Sequence, residues 1–253
     1  MSSQNSTNKK NIKKLNKRRK YIKNRCVYVM VSKTSTIPSQ MIKMWTKEPY
    51  AHTSLALDIE LNEMYSFARK KLRNPFNCGF ITEDITTGVF GRDVGTTCRI
   101  MRVWVTQSQL DKINKILQKF KDNKNYYKYN YIGIFGVMIN KPVEREYNYF
   151  CSQFVYYVLS KAGVKLFDKK PGLARPEDFR VWKEPELIYE GKLVEYRDFL
   201  AAHYPKKPNS DKYVEKRGIN FDKFMYVENK EVLNDSHASQ EAIAATMETA
   251  VDA

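Results

Sequence analysis

Only four cysteines (Cys26, Cys78, Cys98, Cys151) and three histidines (His52, His203, His237) are present among the 253 residues, so nucleophilic chemistry has few possible seats. Cys151 is set apart by its neighbours. Phe154, Val155, Val158, Leu159 and Ala162 lie at helical spacing behind it, and Gly163 comes next. The spacing predicts a helix of about three turns that carries Cys151 in its first turn and ends on a C-cap glycine. A thiol in that place meets unpaired amide protons and the positive end of the helix dipole. Both favour the thiolate, which is the nucleophile. The competing reading is a buried structural cysteine, because free Cys behaves as a small hydrophobe. A histidine partner separates the two. An imidazole within hydrogen-bond reach forms a thiolate–imidazolium pair and later protonates a leaving group. His203 and His237 lie in polar surroundings, whereas His52 opens an apolar strand and is the candidate base. Its competing reading is a satisfied core or turn histidine.

These two residues need a strand and a helix to hold them. The run Tyr50 to Asp58 alternates with period two, placing Thr53, Leu55 and Leu57 on one face and His52, Ser54, Ala56 and Asp58 on the other. Met64 to Ala68 reads as its hairpin partner. Ahead of them, Arg25 to Val31 reads as a buried strand, and Pro38 opens a short helix with Met41, Ile42 and Trp45 on one face. Residues 69–96, punctuated by Asn74-Pro75 and several glycines, read as a long irregular excursion. Cys98 to Val105 is a further strand. It runs into Thr106-Gln107-Ser108-Gln109, a capping-box pattern that opens a helix with Leu110, Ile113, Ile116, Leu117 and Phe120 as its stripe. A last strand is expected at Glu186 to Glu190.

Composition bounds the rest. Hydrophobic residues make up 42% of the chain, with 17 Tyr and 13 Phe, enough for one substantial core. The net charge is +16, but residues 1–25 hold ten Lys/Arg and no acid, which leaves +6 for the remainder. The expected organisation is a basic flexible tail at 1–24, a catalytic domain at 25–200, an extension at 201–233 and an acidic tail at 234–253. The cysteines show no metal-site spacing, and no cofactor or metal is called for. No apolar run is long enough for a membrane span, and the N-terminus lacks the apolar core of a signal peptide. With reduced thiols, a cytoplasmic location is expected.

Two segments resemble a known family, the circularly permuted papain-like thiol hydrolases of NlpC type, which include relatives of lecithin retinol acyltransferase and bacterial amidase-like proteins. His52-Thr53-Ser54-Leu55-Ala56-Leu57-Asp58 resembles the family's histidine strand. Phe150-Cys151-Ser152-Gln153-Phe154-Val155 resembles its nucleophile helix. His52 precedes Cys151 by 99 residues, the order that the permutation implies. The likeness covers roughly residues 25–200 in element order. It implies an α+β, papain-like (permuted) fold with the nucleophile helix packed on an antiparallel sheet. It also implies a third polar residue on the strand after the histidine, orienting the imidazole. Matching by the hairpin puts Ser66, or else Glu63, in that place, with Glu83 a further candidate carried by the long excursion.

The implied activity is acyl transfer. Cys151 attacks an amide or ester carbonyl of a peptide or acyl-lipid, and the oxyanion rests on the Cys151 backbone N–H and another donor. His52 protonates the leaving group, and water, an amine or an alcohol resolves the thioester. Hydrolase and acyltransferase both stay open. Two other classes stand beside this reading: an inactive binding module on the same fold, and a nucleic-acid or anionic-membrane contact made by residues 1–24.

Overall fold

The computed structural model describes residues 23–34, 48–71 and 74–206. The basic segment up to residue 22, the short helix expected after Pro38, most of the 201–233 extension and the acidic tail lie outside them.

Arg25 to Val31 carries apolar residues on both of its faces, so the strand it forms must be covered on both sides. It is the centre of the molecule. Strand β1 (Lys23–Lys33) lies between β2 (His52–Ala56) and β5 (Thr97–Thr106) in a six-stranded sheet of order β4-β3-β2-β1-β5-β8, where β3 is Met64–Lys71, β4 is Asn74–Glu83 and β8 is Glu186–Lys192. Every pairing in this sheet is antiparallel. Val27, Val29 and Val31 face one core and Tyr28 and Met30 face the other, all of them essentially inaccessible.

The first core lies under two helices. Helix α1 (Gln107–Asp122) starts where β5 ends, and its capping box is present: Gln109 N–H donates to Thr106 Oγ1 at 3.2 Å and Thr106 N–H to Gln109 Oε1 at 2.9 Å. Leu110, Ile113, Leu117 and Phe120 of its stripe are buried there. Helix α2 (Tyr131–Met138) comes next, and a short parallel pairing of β6 (Lys128–Tyr129) with β7 (Asn148–Tyr149) leads into helix α3 (Cys151–Ala162). Gly163 ends α3 in the left-handed region at φ 83°, the conformation for which glycine is suited. Helix α4 (Pro176–Arg180) adds Phe179 to the same core. The second core is closed by α5 (Tyr196–His203), whose Tyr196 hydroxyl donates to the Ile59 carbonyl at 2.7 Å. The whole is an α+β arrangement with helices packed on an antiparallel sheet.

One expectation needs correction. Residues 69–96 are not irregular throughout, because β3 runs on to Lys71 and β4 occupies Asn74–Glu83. Asn74-Pro75 and Gly79 concealed the strand. Proline lacks a ladder donor, but β4 is an edge of the sheet, where that loss is tolerated. Among the described residues no helix is long and apolar enough to cross a membrane.

Candidate functional site

Strand periodicity places the first pieces. Ala56 pairs with Met64, and Met64 pairs with Glu83, so these three leave the same face of the sheet. Period two then puts Ser54 and His52 on that face as well. Glu83 thus shares a face of the sheet with His52, and the two side chains meet across it. His52 Nε2 lies 3.0 Å from Glu83 Oε1 and 3.2 Å from Oε2, and Ser54 Oγ donates to Glu83 Oε2 at 2.6 Å. Ser54 is fully buried, and the His52 and Glu83 side chains are only 14% and 11% exposed, so water screens the pair weakly.

Cys151 arrives from the other side. β2 pairs with β3 only at Leu55 and Ala56, so the ladder stops short of Thr53. There the Thr53 carbonyl accepts from Ser66 Oγ at 2.8 Å, and its backbone makes a hydrogen bond to the Cys151 sulfur. The Ser152 backbone at the start of α3 makes another. The sulfur also shares a side-chain hydrogen bond with His52. Since Glu83 takes Nε2, Nδ1 is the ring nitrogen left to address the sulfur. His52 therefore bridges a thiol and a carboxylate.

The titration behaviour is set by these contacts. Burial pushes the Cys151 thiol up, but the hydrogen bond and charge of His52, with the two backbone bonds, overcome it and bring the thiol below its ordinary value. For His52, burial disfavours the imidazolium, yet the Glu83 charge, joined by the Cys151 and Glu83 hydrogen bonds, raises it well above the usual histidine range. Cys98 offers the contrast. It is completely buried beside no such partner, and burial pushes its thiol far up. Burial raises Cys78 as well.

The start of α3 is held from several directions. Ser152 Oγ donates to the Ala174 carbonyl at 2.7 Å. Gln153, readable from sequence only as a helix-face residue, is buried. Its Oε1 accepts from Phe150 N–H at 3.4 Å and from Asn130 Nδ2 at 3.3 Å. Asn130 in turn caps α2 by accepting from Gly133 N–H at 2.9 Å. Tyr129 is a half-buried phenol whose hydroxyl lies close to the sulfur. Burial first, then the Cys151 and Cys78 thiols, raise it well above its usual value, so it stays a neutral hydroxyl.

The structure thus brings Cys151 and His52 together and assigns the imidazole's second partner differently from the hairpin match. Ser66 does not touch His52, because its hydroxyl is spent on the Thr53 carbonyl. Glu63 lies away from the site in an ion pair with Lys121 at 2.8 Å. Tyr149 packs among Phe67, Phe120 and Tyr157 in the core. Among the described residues no group of His, Cys, Asp and Glu is placed to hold a metal ion. No family model, curated protein or solved structure matches the chain.

Proposed function

We propose that this protein is a cysteine-dependent hydrolase or acyltransferase on a permuted papain-like fold, with Cys151 as nucleophile, His52 as acid and base, and Glu83 as the residue that orients and charges the imidazole. One observation carries the reading: the His52 ring lies between the Cys151 sulfur and the Glu83 carboxylate in a largely dry site. A structural cysteine needs no such arrangement, whereas a thiol nucleophile does. The chain order of His before Cys, and a Cys-bearing helix end set against an antiparallel sheet, support the permuted papain-like assignment. All four cysteines are free thiols, which fits a reducing compartment such as the cytoplasm.

The reaction begins with the thiolate–imidazolium pair. Cys151 sulfur attacks the carbonyl carbon of an amide or ester and pushes the carbonyl electrons onto oxygen. The backbone N–H of Cys151, at the helix start, is a donor for that oxyanion. The His52 proton passes to the leaving amine or alcohol as the bond to carbon breaks, leaving a thioester on Cys151 and a neutral imidazole. His52 then takes a proton from water, or from an acceptor amine or alcohol, as that group attacks the thioester. The second collapse expels the thiolate and restores the pair. Glu83 holds the ring throughout and favours its charged form.

The test is to trap the acyl-enzyme. Incubation with 4-nitrophenyl acetate should release nitrophenol in a burst and leave one acetyl group on the peptide that holds Cys151, seen by mass spectrometry. Cys151→Ala and His52→Ala should abolish both. Acetylation spread over lysines and unaffected by either change would contradict the assignment.

A further inference from the structure

Helix α2 presents an apolar surface that the core does not use. The run from Tyr131 to Ile139 contains no charged residue, yet Ile132, Phe135, Met138 and Ile139 are 44–65% exposed. Spaced three, three and one apart, they share the outer side of the helix, while Gly133 and Gly136 are buried on the inner side. Gly136 sits so close to the chain that a Cβ there would lie 2.4 Å from the Lys141 carbonyl. The small residues thus seat the helix and the large ones point outward, the reverse of the pattern expected for a helix that only packs on its own domain. Exposed apolar surface gathered in this way marks an interaction site.

The surroundings of this surface select the partner. Lys128 stands three residues before the helix. Lys141 stands just after it, its backbone N–H bonded to the Gly136 carbonyl at 2.8 Å. Both are exposed, and neither has an ion-pair partner among the described residues. A short apolar helix face bracketed by such cations matches the apolar interior and anionic headgroups of a lipid surface. We infer that the outer face of α2 docks on an anionic lipid surface, with Phe135 and Ile139 entering the acyl region and Lys128 and Lys141 at the headgroups.

The surface is close to the candidate site. Tyr131, the first residue of α2, packs at 4.8 Å against Tyr129, and Tyr129 lies beside Cys151. On the function proposed above, and resting on it, docking brings the thiol to an acyl-lipid. The lipid contact itself does not require that chemistry.

The test is co-sedimentation of the full chain with vesicles of phosphatidylcholine and with vesicles of phosphatidylcholine and phosphatidylserine in equal parts. Binding should favour the mixed vesicles and weaken as salt is raised. The double substitution Phe135→Ser/Ile139→Ser should reduce binding at least roughly tenfold while the thermal unfolding midpoint is kept, since both side chains are already exposed. Lys128→Glu/Lys141→Glu should weaken binding and flatten its salt dependence. Cys151→Ala should bind as wild type does, so failure of the lipid contact and failure of the chemistry are read separately. Equal binding by the Phe135/Ile139 variant would assign the contact to another part of the chain and overturn the inference. No vesicle binding by wild type would also overturn it, as would a lipid-free dimer that the same substitutions convert to monomer.

Discussion

At the scale of single residues, the site consists of one ring with two partners. Glu83→Gln keeps the shape but removes the charge that sustains the imidazolium. It should slow thioester formation by roughly 10²-fold or more, in line with the size of acid–base contributions, whereas Ser66→Ala should leave the rate near wild type. Ser66→Ala instead orphans a buried carbonyl and should cost about 1 kcal/mol of stability, read from denaturant unfolding. The pH dependence has two limbs. His52 is raised above its free value, so its contribution to stability is complete below about pH 6.5 and is lost as pH rises through the folded value. Cys151 is lowered, so its contribution is present above the free-thiol value of about 8.5 and is lost as pH falls through the folded value. The reactive pair exists between the two folded values. The acylation rate against pH should therefore be bell-shaped, its acid limb following Cys151 and its alkaline limb following His52. In Glu83→Gln the alkaline limb should move to lower pH. A profile whose limbs ignore that substitution would remove Glu83 from its role.

At the scale of elements, helix ends matter most, because α3 delivers the sulfur and its two ends are built differently. At the C-terminal end Gly163→Ala places a Cβ in a left-handed backbone with nothing within 4 Å to resist it. The cost is purely conformational, about 1 kcal/mol, and should appear as a lower unfolding midpoint with unchanged thiol reactivity. Removal of the α1 cap by Thr106→Ala should cost about as much. The same elements show what was legible from sequence. The α3 helix with Cys151 in its first turn and Gly163 at its end, the α1 capping box and the β2 alternation each rest on a local pattern within one element, and each stands in the structure. In the sequence Glu83 is a further candidate, but on an irregular loop, because its place beside His52 could not be read that way. Glu83 shares the His52 face through the Ala56–Met64 and Met64–Glu83 pairings, and strand order across a sheet leaves no local mark in the chain. The hairpin match stopped one strand short, at β3, and so arrived at Ser66 and Glu63. Ser54 carried the usable signal: a buried serine on the His52 face requires a polar partner there. Helix α5 was missed because its buried residues, Tyr196 and Leu200, are few and come directly after a strand and a 3₁₀ turn.

At the scale of the whole molecule, the site depends on an aromatic core that joins sheet to helices. Phe154, fully buried one turn behind Cys151, lies 5.3 Å from Phe67, 5.6 Å from Phe80 and 5.0 Å from Phe120 between ring centroids. These rings come from β3, β4 and α1. Truncation at that junction removes contacts to three elements at once. Phe154→Ala should cost about 3–5 kcal/mol in chemical denaturation, and the selective reactivity of Cys151 should be lost in the same transition. A small, local effect would mean that α3 is positioned by other contacts.

The central claim is that His52 holds Cys151 as a thiolate. Its most direct test is the rate of iodoacetamide labelling at each cysteine against pH, read peptide by peptide in wild type and His52→Ala. Cys151 should label well below the free-thiol pKa of about 8.5, while Cys78 labels only at higher pH and Cys98 resists. In His52→Ala the advantage of Cys151 should vanish. Slow labelling of Cys151 that is indifferent to His52 would contradict the account.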